Sequence, residues 1–415
     1  FWHDWTYVAT MDFTNCTFIH GILIFLCVGC VQNKRKLKKN VNDISESNSD
    51  LHLNSLQLLK RYGYPSERHS VVTDDGYIVN LFRIPRRGPP VLLVHGIGDS
   101  SDCWLVLGPT NSLAFLLSDA GFDVWLYNAR GNKYSKGHAR NLSSKQYWNF
   151  SYEEMGSQDL PATIDYILRA TSQTKLSYVG FSQGTTIFLV MCSMRPEYND
   201  KIKHAILLAP VAWLSHLKFP FIDILTQNLE QLTALAENIG LYELFSENPA
   251  LNLYHAQVCN ISSPAKVLCD LEYYFSYGLK NISNLPVDRL PVIASHIPAG
   301  SSAKTFVHFM QGYVSKRFQR YHYYGGGKNT DTFGSPEPPE YNVSQVSAPV
   351  TLMCSEVDWF SGYEDVQTLR KFLPNIVNYV MYNKNMDFTH LKFVFGARVK
   401  ALINDPVIRL LRYLE

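Results

Sequence analysis

Charge of one sign is what this sequence most lacks: 38 Lys and Arg stand against 36 Asp and Glu, a formal net charge of +2. Apart from Lys34-Arg35-Lys36-Leu37-Lys38-Lys39 there is no basic stripe. Nucleic acid, whose phosphates need clustered Lys and Arg, is therefore not an expected partner. Long apolar runs are scarce too. Phe18–Val31 falls short of the roughly 20 residues a membrane-spanning helix needs. It suits the core of a signal peptide over residues 11–32, with Gly29 and Cys30 offering small residues for cleavage. Because the basic run follows that core, the positive-inside rule allows a second reading, a reversed anchor. Residues 33–55 are polar and aperiodic, a linker or propeptide. Internal repeats, low-complexity tracts and metal-ligand spacings of Cys and His are absent, so no metal or cofactor is expected.

Cysteine is sparse, eight in 415 residues. Cys27 and Cys30 lie inside the apolar run without redox context. Cys259 and Cys269 close a short loop between turn-rich segments and are the pair expected to form a disulfide; the others read as buried thiols. Asn-x-Ser sequons at Asn141, Asn149, Asn260, Asn281 and Asn342, taken with the apolar N-terminal run, favour the secretory route, secreted or lysosomal.

Alternation is what the chain does have. Arg68–Val72 and Tyr77–Ile84 flank Thr73-Asp74-Asp75-Gly76, whose Asp-Gly pair marks a hairpin. Pro90–Val94, Phe122–Tyr127, Leu176–Val179, Ala205–Ala209, Val350–Cys354 and Ile376–Tyr382 are short apolar runs bounded by turns, which read as buried parallel strands. Helical patterns at Leu160–Ala170, Gly184–Met194 and Ala397–Leu414 interleave with them. The expectation is an α/β fold, a mostly parallel, doubly wound sheet with helices on both faces. Its core covers residues 56–211 and 346–415, and residues 212–345, with little strand signal, form an inserted cap over the carboxyl ends of the strands. Gly325-Gly326-Gly327 lacks the flanking strand of a phosphate loop and is read as a plain loop.

Gly180-Phe181-Ser182-Gln183-Gly184 follows an apolar strand and opens a helix, the context of a nucleophile elbow. The turn is so tight that only glycine fits two residues either side of the serine. Acyl transfer also needs donors for an oxyanion. The backbone N–H of Gln183 is one, and Ile97, in His95-Gly96-Ile97 after the strand ending at Val94, offers the other. His95 itself is read as structural, since the base should come last in the chain order Ser, Asp or Glu, His. Thirteen histidines leave position to decide. His390 is the only one after His322, and it falls between the last strand and the last helix. Asp358 follows Val350–Cys354 as the acid, with Glu356 and, more weakly, Asp365 as rivals.

These residues resemble the animal acid lipase family of gastric and lysosomal lipases, from about Tyr62 to about Leu411. Gly63-Tyr64-Pro65-Ser66-Glu67, Thr73-Asp74-Asp75-Gly76-Tyr77, Asn128-Ala129-Arg130-Gly131-Asn132, Asp159-Leu160-Pro161-Ala162, the elbow and His296-Ile297-Pro298-Ala299-Gly300 occur in order. The resemblance implies an α/β-hydrolase fold with a cap and lid, no cofactor, and a lipid substrate or lipid–water interface as partner. It implies Ser182, Asp358 and His390 as nucleophile, acid and base, with Ile97 and Gln183 as oxyanion donors. No stable protein partner follows. Lys392 stands where the family usually carries Asp, which puts a positive charge near the His390 imidazole, and Ser355-Glu356-Val357 replaces a Gly-rich run. A carboxylesterase for small soluble esters and a lipid-binding relative of weak or no activity are the alternatives.

Overall fold

The computed structural model describes residues 50–220, 222–260, 262–277 and 285–413. The signal-peptide segment, Cys16, Cys27, Cys30 and Asn281 lie outside them.

Eight strands run across the main sheet in the order β1 (Glu67–Val72), β2 (Tyr77–Ile84), β4 (Asp123–Tyr127), β3 (Pro90–Val94), β6 (Leu176–Phe181), β7 (Ile202–Leu208), β10 (Val350–Ser355), β11 (Ile376–Tyr382), and the two-residue β5 (Gly137–His138) pairs with β2. The hairpin β1–β2 and the pair β2–β4 are antiparallel; every pair from β4 through β11 is parallel. Burial explains the sequence pattern. Every residue of β3, β4, β6 and β10 is buried, so these strands are predominantly apolar instead of alternating, and their few polar members, Asp123, Ser177, Thr351 and Ser355, are buried with them. The outermost β1 alternates half-buried with exposed residues up to its buried Val71.

From β3 the chain crosses first to β4 on one side, then to β6 on the other. Right-handed crossovers therefore put the helix Leu113–Asp119 and the helix Gln183–Met194 on opposite faces of the sheet. The reversal opens a crevice at the carboxyl ends of β3 and β6, where ligands bind in open α/β sheets.

Two local expectations need correction, and two helices were not expected. The closing helix is broken into a π-turn, Lys400–Asn404, and an α-helix, Asp405–Tyr413; its two segments share apolar character, which hid the change of pitch. The helices Leu113–Asp119 and Tyr363–Phe372 are short enough that their periodicity carries little signal. Asp50, inside the expected linker, is buried and paired with Arg289 at 2.7 Å and Arg61 at 3.0 Å.

Residues 212–345 hold helices at Ile222–Gln227, Leu229–Asn238, Pro249–Val258, Lys266–Tyr277, Leu290–His296 and Ala303–Ser315, and a two-stranded ribbon of β8 (Glu243–Leu244) and β9 (Ser301–Ser302). Cys259 and Cys269 are joined by a disulfide; Cys103, Cys192 and Cys354 are buried free thiols.

Candidate active site

Ser182 sits between β6 and the helix Gln183–Met194 at φ 52°, ψ −118°. A positive φ is costly for a residue with a Cβ and persists only where the surroundings impose it. Here they do. The Ser182 N–H donates to the Leu208 carbonyl of β7 at 3.0 Å, and its carbonyl accepts from Thr185 Oγ1 at 2.6 Å. A Cβ on Gly180 would lie 2.7 Å from the Gly184 carbonyl oxygen, and one on Gly184 2.4 Å from that of Val94. Both clashes are with backbone, which cannot swing aside. Gly184→Ala is therefore expected to cost about 3 kcal/mol, the upper part of the overpacking range, read as a lowered denaturant midpoint.

Loops from three parallel strands converge on this serine. His390, after β11, brings Nε2 to 2.8 Å from Ser182 Oγ. Its Nδ1 lies 2.8 Å from Asp358 Oδ2 and 3.0 Å from Oδ1. Asp358, after β10, is fully buried, and its Oδ1 also accepts from the Phe360 and Ser361 amides at 2.8 and 3.0 Å. This side chain-to-backbone turn fastens residues 358–361, and in Ser355-Glu356-Val357 the Val357 N–H donates to Ser355 Oγ at 3.3 Å. The imidazole is held between the Phe181 and Phe360 rings, each 5.0 Å away. The rival acids are engaged elsewhere: Glu356 Oε2 accepts from the Lys384 amide at 2.8 Å, and Asp365 accepts from the N–H and Nδ1 of His216. Lys392 turns its ammonium to the Asp387 carbonyl and carboxylate, so the expected charge beside the imidazole is already paired.

The loop after β3 faces the same serine. Gly96 leaves its side-chain position open to Phe181 and Ser182, whose atoms a Cβ would meet at 3.2–3.3 Å. Among the described residues the backbone N–H groups of Ile97 and Gln183 donate to no backbone carbonyl, and the second belongs to the first turn of a helix, whose donors lack partners by construction. His95 is structural. Its Nε2 accepts from the Ala129 N–H at 3.1 Å, which puts the proton on Nδ1 facing the Gly96 carbonyl at 2.7 Å; burial pushes its pKa down to about 4, so it is neutral over most of the pH range. Asn132 adds Nδ2 to His95 Nε2 and to the Asp99 carbonyl, both at 3.3 Å, while Asn128 Oδ1 accepts from the Ser101 N–H at 2.9 Å. These two asparagines brace the loop, a role that periodicity and spacing do not reveal because they lie in a turn far along the chain.

Two family models match the chain: one described as "alpha/beta hydrolase fold" over residues 89–393, and one described as "Partial alpha/beta-hydrolase lipase region" over residues 56–108. Among curated proteins it is 39% identical to Lipase 3 of Drosophila melanogaster over 85% of this chain and 91% of that protein. It is 35% identical to Lipase member K of Mus musculus (88% and 93% covered) and 34% identical to gastric triacylglycerol lipase of Bos taurus (88% and 92%).

Proposed function

Because the chain belongs to the lipases of the α/β-hydrolase fold and is a lipase-type carboxylic ester hydrolase, we propose that it cleaves neutral lipid esters, acylglycerols or cholesteryl esters, through an acyl-enzyme on Ser182. The observation that carries this is the unbroken chain of hydrogen bonds Ser182–His390–Asp358 at the strained elbow.

In this reading Ser182 Oγ attacks the ester carbonyl while His390 Nε2 takes its proton. Asp358 holds the imidazole with Nδ1 protonated and stabilises the imidazolium. The tetrahedral oxyanion is received by the N–H groups of Ile97 and Gln183. Collapse expels the alcohol, which takes the proton from His390. Water, deprotonated by the same imidazole, then attacks the acyl-serine and releases the fatty acid and Ser182.

A chain-length panel tests the substrate. Hydrolysis of glycerol or cholesteryl esters with long acyl chains is expected alongside short ones; hydrolysis confined to short, soluble esters would overturn the lipid reading. The supporting feature is the large apolar insertion at residues 212–345. We further propose the secretory route, secreted or lysosomal, with glycans on exposed Asn141, Asn149 and Asn342 and half-buried Asn260. Among the described residues no helix is long and apolar enough to cross a membrane.

A further inference from the structure

Behind the oxyanion loop lies a buried ionic cluster that the proposed chemistry does not use. Its centre is Asp102, fully buried in the turn Ser101–Trp104. Asp102 Oδ2 is 2.6 Å from Lys133 Nζ and 2.8 Å from His296 Nδ1; its Oδ1 accepts from Tyr134 Oη at 2.9 Å and from Ser55 Oγ. Burial pushes this carboxyl up, but Lys133 and His296 outweigh burial and hold it well below the usual carboxylate range.

His296 ends the helix Leu290–His296 and belongs to the cap. Its Nδ1 faces the Asp102 carboxylate and its Nε2 faces the Asp50 carbonyl at 3.1 Å. Both partners are acceptors only. A neutral imidazole has one N–H and can satisfy one of them; the imidazolium has two and satisfies both. The carbonyl end of a helix also favours a cation. Three residues on, the Ala299 N–H donates to the Gly98 carbonyl at 2.8 Å, and the Ala299 carbonyl accepts from the Lys133 N–H at 2.7 Å. The cap therefore grips the loop at two points, Gly98 and Asp102, on the chain that follows Ile97.

We propose that His296 acts as an imidazolium and is a positioning residue: while doubly protonated it clamps the cap to the oxyanion loop and holds the Ile97 N–H in line with Ser182. The clamp is complete in acid. A ring with a single proton keeps only one of these two bonds, and the loop loosens. The charged groups around the ring are Asp102 and Lys133, with Tyr134 beside them, and Asp50 with its partners Arg61 and Arg289. Asp99, next to the clamp on the loop itself, has its pKa raised by burial to about 7, so it is a second group whose titration could reach the loop.

The inference rests on Ser182 being the nucleophile, and the test keeps the two apart. In wild type, kcat/KM should fall on the alkaline side; in His296→Gln that fall should disappear and the profile on the acid side should keep its shape. The variant's kcat should drop about tenfold at acid pH with KM unchanged, short of the ~10²–10³-fold cost of losing an oxyanion donor outright. Asp99→Asn should keep the alkaline fall. Nitrogen-15 NMR of histidine-labelled wild type should find His296 with both nitrogens protonated at the acid pH where activity is highest. An alkaline fall unchanged in His296→Gln, or its loss in Asp99→Asn alone, overturns the proposal. A neutral His296 where the enzyme is most active also overturns it, and this arm decides if the variant fails to fold. Hydrolysis surviving in Ser182→Ala would overturn the nucleophile and leave the NMR result standing.

Discussion

Ser182→Ala is expected to lower ester hydrolysis by about 10⁶-fold and to abolish labelling by a fluorophosphonate, with the melting temperature little changed. The magnitude follows from the way nucleophile and base act as one unit, so that removing either loses nearly all the benefit of both. What remains is binding and the proposed oxyanion donors, Ile97 and Gln183, which do not need the hydroxyl. Stability should hold or rise slightly. Among the described residues the serine hydroxyl bonds only to His390, at 2.8 Å, whereas the elbow is fastened by the Ser182 backbone N–H and carbonyl, and alanine keeps both. Labelling of wild type with equal labelling of Ser182→Ala would point to a different nucleophile.

Asp358→Asn should cost about 10⁴-fold in kcat, and the structure explains why a change of one atom does so much. Oδ1 of Asp358 already accepts from two backbone amides, Phe360 and Ser361. An asparagine must keep its oxygen there and turn its NH₂ toward His390 Nδ1. That nitrogen can then only accept, so the ring proton moves to Nε2, the atom that must take the proton of Ser182. The ring stays in place with the wrong tautomer. Rates measured across pH, with the structure checked by circular dichroism, would test this. A loss of less than tenfold would return the role of acid to Glu356 or Asp365, despite their engagements elsewhere.

The buried strands and the elbow were readable because a parallel sheet covered on both faces leaves a continuous apolar signature, and because the elbow's glycines answer a steric demand, set locally at Gly180 and by the backbone of β3 at Gly184, that fixes their spacing about the serine. β2, β3 and β11 have the ranges expected of them, but Ile376–Tyr382, whose apolar run suggested a buried strand, is mostly half-buried because β11 lies at the sheet's edge. Asp358 and His390 could be singled out by position alone, since chain order and strand ends limit the choices. The supports were not legible. Asn128, Asn132 and His296 act on the loop of Ile97 through contacts that span tens to hundreds of residues, and nothing local marks an Asn in a turn as a brace. Lys392 is the converse case: sequence adjacency to His390 suggested an electrostatic influence, while its side chain runs instead to Asp387.

The strand order has a consequence for biosynthesis. Ser182 and His390 are 208 residues apart, and the loop bearing His390 hangs from β11, which among the described residues ends the sheet and pairs only with β10. A chain emerging from the ribosome can fold its elbow long before the strand that aims the imidazole has left the exit tunnel. Nascent and truncated chains would carry an inert serine, and the capacity to attack esters would switch on only when the sheet gains its last edge.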